Sequence, residues 1–238
     1  MDVLTATVVV GVAIVLLFDY TNGFHDASNI IATVIASRAL TPIQSVIVVA
    51  TFEFLGPLLG GVAVANTIGK FVTLSDVPPA LSVAVVACGL FAAIFWNLLT
   101  WWFGIPSSSS HAIAGGLAGA VTISVGADHV VWGFSELMHG KFTGVTKVFL
   151  SLIVSPILGF WVGFLLYKIT FRVLARAKPS ANTWLRRFQW FTSAGLAFSH
   201  GSNDAQKTIG AITLILMVGG LTAIDPATGK PGFIVPFW

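Results

Sequence analysis

A chain of 238 residues, 56% hydrophobic and only 9% charged, lacks the polar surface that a soluble core needs, because soluble domains carry about 25% charged residues. The mean hydropathy is +0.92, which predicts a membrane protein and excludes a soluble nucleic-acid binder despite the net charge of +3. The one cysteine, Cys88, excludes a disulfide within the chain and any multi-cysteine metal site.

Four segments are long and apolar enough to cross a bilayer as helices, which takes roughly 20 residues: 3–21, 43–67, 80–103 and 146–170. The first differs from a signal peptide, because Asp2 replaces the usual basic start and no small-residue cleavage site follows. The pattern predicts an all-α, polytopic membrane protein.

Three further apolar stretches contain closely spaced polar residues: 22–37, 104–127 and 188–220. Irregular backbone at membrane depth is tolerated only where protein or a water-filled cavity satisfies its polar groups. We therefore expect broken or re-entrant helices at these three places. The more polar stretches 128–145 and 221–232 are expected outside the membrane.

An internal repeat relates two of the interrupted stretches. Residues 23–31 and 201–209 share the pattern Gly-x-x-Asp-Ala-x-x-x-Ile, and paired interrupted segments point to a transporter binding site. If 104–127 counts as one crossing, an odd number of crossings precedes the second copy, which predicts an inverted-topology repeat. We accordingly divide the chain into a first repeat, a basic loop and the start of a second repeat, over 1–170, 171–187 and 188–238.

The connection before the second repeat is strongly basic. Six of the twelve basic residues lie in twenty positions that contain no acid: Lys168, Arg172, Arg176, Lys178, Arg186 and Arg187. Between apolar segments, such a run is typical of a cytoplasmic loop that obeys the positive-inside rule.

Asp26 and Asp204 are the repeated charges. A carboxylate within a bilayer is costly and usually lines a pathway or meets a cation; the alternative is a helix N-cap. Recurrence in both copies favours a shared cation site, with Asn22, Asn29 and Asn203 as neutral ligands. Oxygen ligands suit hard cations such as sodium.

Three other titratable residues lie in apolar surroundings. His25 and His200 are candidates for a proton relay, because imidazole titrates near neutrality, or they serve only as hydrogen-bonding groups. Glu53 has no Lys or Arg within a turn or two, so it is a candidate for coupling, with a buried structural acid as the alternative. Asp19 is interpreted as a residue at a segment boundary.

A run of four serines precedes a long stretch of small and apolar residues. Hydroxyls and free backbone N–H groups at a helix N-terminus can bind an oxyanion, aided by the helix dipole; a serine linker is the alternative. Lys207 either meets the anion or pairs with Asp204. The candidate substrate-binding residues are Ser107, Ser108, Ser109, Ser110, Asn29 and Lys207.

Four ordered motifs, at 22–29, 52–56, 106–111 and 199–207, resemble the inorganic phosphate transporter family, in particular its bacterial low-affinity branch. The resemblance implies a homodimeric symporter in the cell membrane that moves inorganic phosphate with a proton or sodium ion and needs no cofactor. Bacterial phosphate members are thought to take metal–phosphate complexes. Because the family has a further proline–serine/threonine–histidine motif, we expect this chain to be a fragment.

Two other functions are alternatives, and the motifs do not decide between phosphate and the first of them. Sulfate or another tetrahedral oxyanion would suit the same serines, and the family includes sulfate permeases. A membrane-embedded enzyme acting on lipid phosphates could use a serine and a histidine as nucleophile and base. No basic cluster surrounds Ser107 to bind a diphosphate, so we expect a transporter and not an enzyme.

Overall fold

A computed structural model describes residues 2–223, which form eight α-helices, a short 3-10 turn at Ala127–His129 and no extended strand within that range. The predicted all-α fold is confirmed. The helices are α1 (Val3–Ala36), α2 (Pro42–Leu59), α3 (Ala63–Gly69), α4 (Pro79–Trp102), α5 (Ser109–Ser124), α6 (Phe134–Met138), α7 (Gly144–Leu174) and α8 (Ala181–Val218).

By length and composition, α1, α2, α4 and α7 can each cross a membrane. At 1.5 Å per residue, the 34 residues of α1 span about 51 Å, more than the roughly 30 Å hydrocarbon layer. The longest helix is α8, with 38 residues, and its polar residues distinguish it from those four.

Only one of the three expected interruptions is present among the described residues. Residues 103–108 separate α4 from α5, as predicted for 104–127. The expectation is wrong for 22–37 and 188–220, because α1 and α8 continue through them. A continuous helix satisfies its own backbone groups, and the polar side chains of α1 and α8 pair with each other instead.

The segment predicted as one helix over 43–67 is interrupted. Its first part, α2, ends at Leu59, and α3 begins only at Ala63. Gly61 has a φ of +77°, a conformation that glycine adopts readily and other residues rarely do. This turn places Gly60 O where the Gln206 side chain of α8 donates to it, at 3.1 Å.

The basic stretch 171–187 is mostly helical. The α7–α8 connection itself covers 175–180, so several of the basic side chains project from the ends of the two helices. The division of the chain into two repeats stays a prediction.

The two helices that carry the repeated motifs lie antiparallel. Asn22 on α1 contacts Asp204 on α8, whereas Gly11, near the start of α1, lies against Ile215, near the end of α8. Both helices also contribute to one apolar core with α4 and α5, which includes Phe18, Leu90, Ile113, Leu117 and Leu214. Antiparallel copies are what an inverted repeat requires, and the repeat itself stays a prediction.

Glycines bring α2 and α8 into backbone contact. A Cβ atom at Gly201 would lie 2.5 Å from Glu53 Cα, and one at Gly56 would lie 2.5 Å from Ser202 N. Real Cβ atoms do not approach other atoms so closely, so the crossing depends on the missing side chains. The contact places Glu53 beside His200 of α8.

Candidate functional site

Where α1, α2 and α8 meet, four carboxylates and two imidazoles gather between the helices, each of them partly exposed. Among the described residues, Lys207 is the one lysine or arginine that forms an ion pair with these carboxylates. The members are Asp19, His25, Asp26, Glu53, His200 and Asp204.

His200 links the three helices. Its Nδ1 lies 3.0 Å from Glu53 Oε1, and its Nε2 lies 3.4 Å from Asp204 Oδ2 and 3.7 Å from Asp26 Oδ2. His25 Nδ1 lies 3.1 Å from Asp26 Oδ1. Both histidines therefore hydrogen-bond to carboxylates, and a proton relay through them stays a prediction.

The two repeated aspartates are close enough to bind the same cation. One ligand atom from each of Asp26, His200 and Asp204 lies within 4.8 Å of the others. His200 and Asp204 border a cavity of about 160 Å³, which we call the acidic cavity, lined by Asp19, Asn22, Gly23, Glu53, His200, Gly201, Asp204 and Ala205. Asp26 lies beside this lining, with its Oδ2 3.7 Å from His200 Nε2. Two carboxylates and a neighbouring amide suit a hard cation.

The N-cap interpretation of Asp26 and Asp204 is wrong. Both residues lie well inside continuous helices, many residues from the N-terminal ends of α1 and α8. Backbone N–H groups in a helix interior are already bonded within the helix, so neither carboxylate is needed there as a cap.

Lys207 joins the acidic cluster to the serine run. Its side chain is only 3% exposed, and its Nζ lies 2.5 Å from Asp204 Oδ1. The same ammonium group donates a hydrogen bond of 2.7 Å to Ser109 Oγ. Of the two roles considered for Lys207, pairing with Asp204 is present in the structure, and a contact with an anion stays a prediction.

The four serines lie where a helix begins but face different surroundings. Ser108 is the residue before α5, which starts at Ser109. Ser107 and Ser108 line an open cavity of about 600 Å³ beside Trp96, whose Nε1 donates to Ser107 Oγ at 2.9 Å. Ser110 lines a separate cavity between α3, α5, α7 and α8.

This separate cavity, which we call the serine cavity, has the opposite electrostatic character. It measures about 280 Å³, and its polar lining includes Ser110, His111, Lys147 and Asn203 but no Asp or Glu. Ser110 and Asn203 directly adjoin Ser109 and Asp204 in the sequence, the two residues that Lys207 contacts. Binding of an anion at the serine cavity stays a prediction.

Of the three neutral cation ligands predicted, Asn22 lies in the cluster, where its Nδ2 donates to Asp204 Oδ2 at 2.7 Å. Asn203 borders the serine cavity instead. Asn29 is exposed on α1, outside the cavities described above. The roles of all three residues stay predictions.

The interpretation of Asp19 as a boundary residue is wrong. It lies inside α1, borders the acidic cavity and accepts a hydrogen bond of 2.5 Å from Thr208 Oγ1. The spacing of Asp19, Asn22 and Asp26, at i, i+3 and i+7, places them on one helix face. That signal is present in the sequence once α1 is extended through residue 26.

Comparison with known proteins places this chain in a family. The profile of the phosphate transporter family matches residues 22–183. A probable low-affinity inorganic phosphate transporter from Bacillus subtilis (strain 168) is 41% identical over 222 residues, 93% of this chain and 63% of that protein. One from Rhizobium meliloti (strain 1021) is 39% identical over 228 residues, 95% of this chain and 62% of that protein.

PitB, a low-affinity inorganic phosphate transporter from Escherichia coli (strain K12), is 37% identical over 245 residues, 94% of this chain and 46% of that protein. This chain thus spans between 46% and 63% of the length of these three relatives. All three are described as transporters, as expected for a chain that is not an enzyme.

A solved structure described as the sodium-dependent phosphate transporter has the same fold. The TM-score is 0.74 at 23% identity, and the match covers 96% of this chain and 71% of that one. The motifs at 22–29 and 52–56 and the serine run fall inside the range matched by the family profile. The chain belongs to the phosphate transporter family.

Proposed function

We propose that this chain provides part or all of a secondary active transporter that moves inorganic phosphate with a proton or sodium ion through the cell membrane, which its helices cross several times. The observation that carries the proposal is buried Lys207, which joins a cluster of carboxylates to a serine run. The names of the relatives, low-affinity inorganic phosphate transporters, support phosphate as the substrate.

The coupling cation binds between Asp26 and Asp204, at the side of the acidic cavity that His200 and Asp204 line. Lys207 offsets the charge of one carboxylate, and the remaining acids have only histidines and neutral groups as described partners. A partly buried cluster with excess negative charge stabilises a cation that arrives there. Glu53 acts through His200 and adjusts how strongly Asp26 and Asp204 bind the ion.

The anion binds beside Ser107 to Ser110. The first backbone N–H groups of α5 have no partner within the helix, and the positive end of the helix dipole lies at the same place. With the serine hydroxyls, these groups suit the tetrahedral oxygens of phosphate. Lys207 and Lys147 supply positive charge on two sides.

Sodium is the first coupling ion to test, because the protein that shares this fold is described as sodium-dependent. A proton is the alternative, carried by His200, Asp26 or Glu53. The expected substrate is free phosphate or a metal–phosphate complex, which a metal chelator distinguishes. Sulfate is the competing oxyanion.

The experiment is uptake of labelled phosphate into proteoliposomes, with sodium and pH gradients imposed separately. We expect accumulation driven by one gradient, reduced by excess unlabelled phosphate and little affected by excess sulfate. Liposomes without protein are the control. Uptake that follows neither gradient would contradict coupled transport, and preferential inhibition by sulfate would contradict the choice of substrate.

A further inference from the structure

We propose that Lys207 couples the two substrates by exchanging partners. Its ammonium group pairs with Asp204 while no cation is bound, and it turns to the oxyanion beside Ser109 once a cation occupies Asp204. This inference rests on the proposed function and explains how one site senses the occupancy of the other.

Lys207 is positioned for such an exchange because its charge is buried between two different partners. An ammonium group has three donors and, at 3% exposure, it depends on nearby protein groups for compensation. Among the described residues, Asp204 is the one carboxylate within ion-pair distance. The contact with Ser109 directs the same charge towards the serine run.

Asp204 is the group for which a cation and Lys207 compete. Its Oδ1 faces Lys207, while its Oδ2 accepts from Asn22 and lies 3.4 Å from His200 Nε2. A cation held by Asp26 and Asp204 would therefore lie within a few ångströms of the ammonium group. Two like charges on one carboxylate repel each other, so binding of the cation weakens the pair between Lys207 and Asp204.

Each substrate then favours the other. A cation bound alone would leave the positive charge of buried Lys207 without a negative partner, and an anion bound alone would have to compete with Asp204 for the ammonium group. When both are bound, the cation neutralises Asp204 and the anion neutralises Lys207. Because coupling between two sites is reciprocal, the cation should tighten phosphate binding by the same factor as phosphate tightens cation binding.

The simpler account is that Lys207 neutralises Asp204 permanently and never meets the anion. The two accounts predict different phosphate affinities when either partner is removed. In Lys207→Gln, phosphate should bind weakly with or without the cation. In Asp204→Asn, Lys207 is already released, so phosphate should bind tightly even without the cation.

The test is equilibrium binding of labelled phosphate to the purified chain, in sodium chloride and in choline chloride, and at two pH values that keep phosphate in one ionic form. For the unmodified chain, the cation should lower the phosphate Kd by about tenfold, within the 5- to 150-fold range usual for coupled sites. In both variants the ratio of the phosphate Kd without the cation to the Kd with it should fall to about one. In Lys207→Gln both Kd values should be high, and in Asp204→Asn both should be low. Lys207→Arg, which keeps the charge, should keep part of the ratio.

Lys147→Gln is the matched control, because Lys147 borders the serine cavity but forms no ion pair with the acidic cluster. It should weaken phosphate binding while leaving the cation-dependent ratio unchanged. Circular dichroism checks that each variant is folded, and Asp204→Asn keeps the test decisive if Lys207→Gln does not fold. The exchange would be overturned if a folded Lys207 or Asp204 variant kept the cation-dependent change in phosphate Kd. It would also be overturned if the cation left the phosphate Kd of the unmodified chain unchanged. Absence of gradient-driven uptake would instead overturn the proposed function.

Discussion

Asp26 offers a cleaner test of the cation site than Asp204, because its described partners are His25 and His200 and no lysine depends on it. Asp26→Asn removes the negative charge and keeps the size and one acceptor oxygen. Because an amide cannot offset the desolvation of a cation, gradient-driven phosphate uptake should fall to the level of protein-free liposomes. The melting temperature should change by only a few degrees.

Asp128→Asn is the control, since Asp128 is an exposed carboxylate in the turn after α5, and its uptake should equal that of the unmodified chain. Accumulation of phosphate against a gradient by Asp26→Asn would show that the cation-site assignment is incorrect. Glu53, which faces His200 from α2, would then be the next carboxylate to replace.

The serine run gives a prediction for the anion. Ser109 Oγ accepts from Lys207, and Ser108 is the residue before α5, so replacing both by Ala removes two hydroxyls from the same helix end. A hydrogen bond to a charged group contributes about 1.5–3 kcal/mol, so the phosphate Kd should rise about tenfold or more. Isothermal titration calorimetry measures it.

Ser124→Ala, at the other exposed end of α5, should leave the phosphate Kd unchanged. If the double variant folds and binds phosphate as tightly as the unmodified chain, the run is a structural turn and not an anion site.

At the scale of helices, the sequence predicts apolar elements well but not how their polar residues are satisfied. The stretches around Asp26 and Asp204 resemble broken helices because a charge in an apolar run has no visible partner in the sequence. In the fold, His200 and Lys207 supply those partners, so the helices need no break. Conversely, a hydropathy window over 43–67 averages across the glycines that separate α2 from α3.

The same limit applies to the site. Asp26, Glu53, His200 and Asp204 each stand out alone as a polar group in apolar sequence, and the structure brings these four together. Their distances depend on the crossing of α1, α2 and α8, which no local pattern encodes. Asp19 resembles a boundary residue in the sequence because the apolar run ends near residue 21, whereas α1 continues to Ala36.

The crossing of α2 and α8 predicts a sensitive position at Gly201. A methyl group there would lie 2.5 Å from Glu53 Cα, so Gly201→Ala must separate the helices and move Glu53 away from His200. Overpacking costs about 1–3 kcal/mol; differential scanning fluorimetry should show a melting temperature lower by several degrees, and coupled uptake should fall.

Gly195→Ala is a control on the same helix, because a Cβ atom there meets no atom within 4 Å. Alanine is favoured over glycine in helices by up to about 1 kcal/mol, so this variant should be as stable as the unmodified chain or more so. Equal melting temperatures for the two variants would contradict a close crossing at Gly201.

At the scale of the whole molecule, two contacts identify which connections share an end of the bundle. Ser37 Oγ donates to Gln189 Oε1, which places the α1–α2 turn at the same end as the first part of α8. A β-bridge between Val72 and Val130 joins two connections at the opposite end, and Val145, at the start of α7, donates to Val131 O there.

If the helices cross a membrane, these contacts indicate whether an odd or an even number of crossings precedes α8. Helices α4 and α5 form a hairpin that returns to its own end, because Gly89 packs against Gly116 and the chain after α5 pairs with Val72. The hairpin therefore adds either two crossings or none, depending on whether its tip reaches the far surface. In both cases the number of crossings before α8 stays odd or even as it was without the hairpin. The basic residues around 175–180 lie at the other end of α7, about 46 Å away for a helix of 31 residues.

The distribution of basic residues predicts how the chain is oriented in the membrane. The positive-inside rule places the basic α7–α8 connection in the cytoplasm, so residues 134–140 and the start of α1 should lie on the outer side. The same orientation is expected for Met1, which lies outside the described residues. With Cys88 replaced by Ala, single cysteines at Ser180 and at Ser135, both exposed, should react with a membrane-impermeant maleimide from opposite faces of oriented vesicles. The cysteine-free chain controls for background labelling.

Labelling of both positions from one face would mean that α7 does not cross, and that α1 and α8 do not enter the membrane from opposite sides. The inverted repeat would then be wrong, and the antiparallel contact of Asn22 with Asp204 would need another explanation.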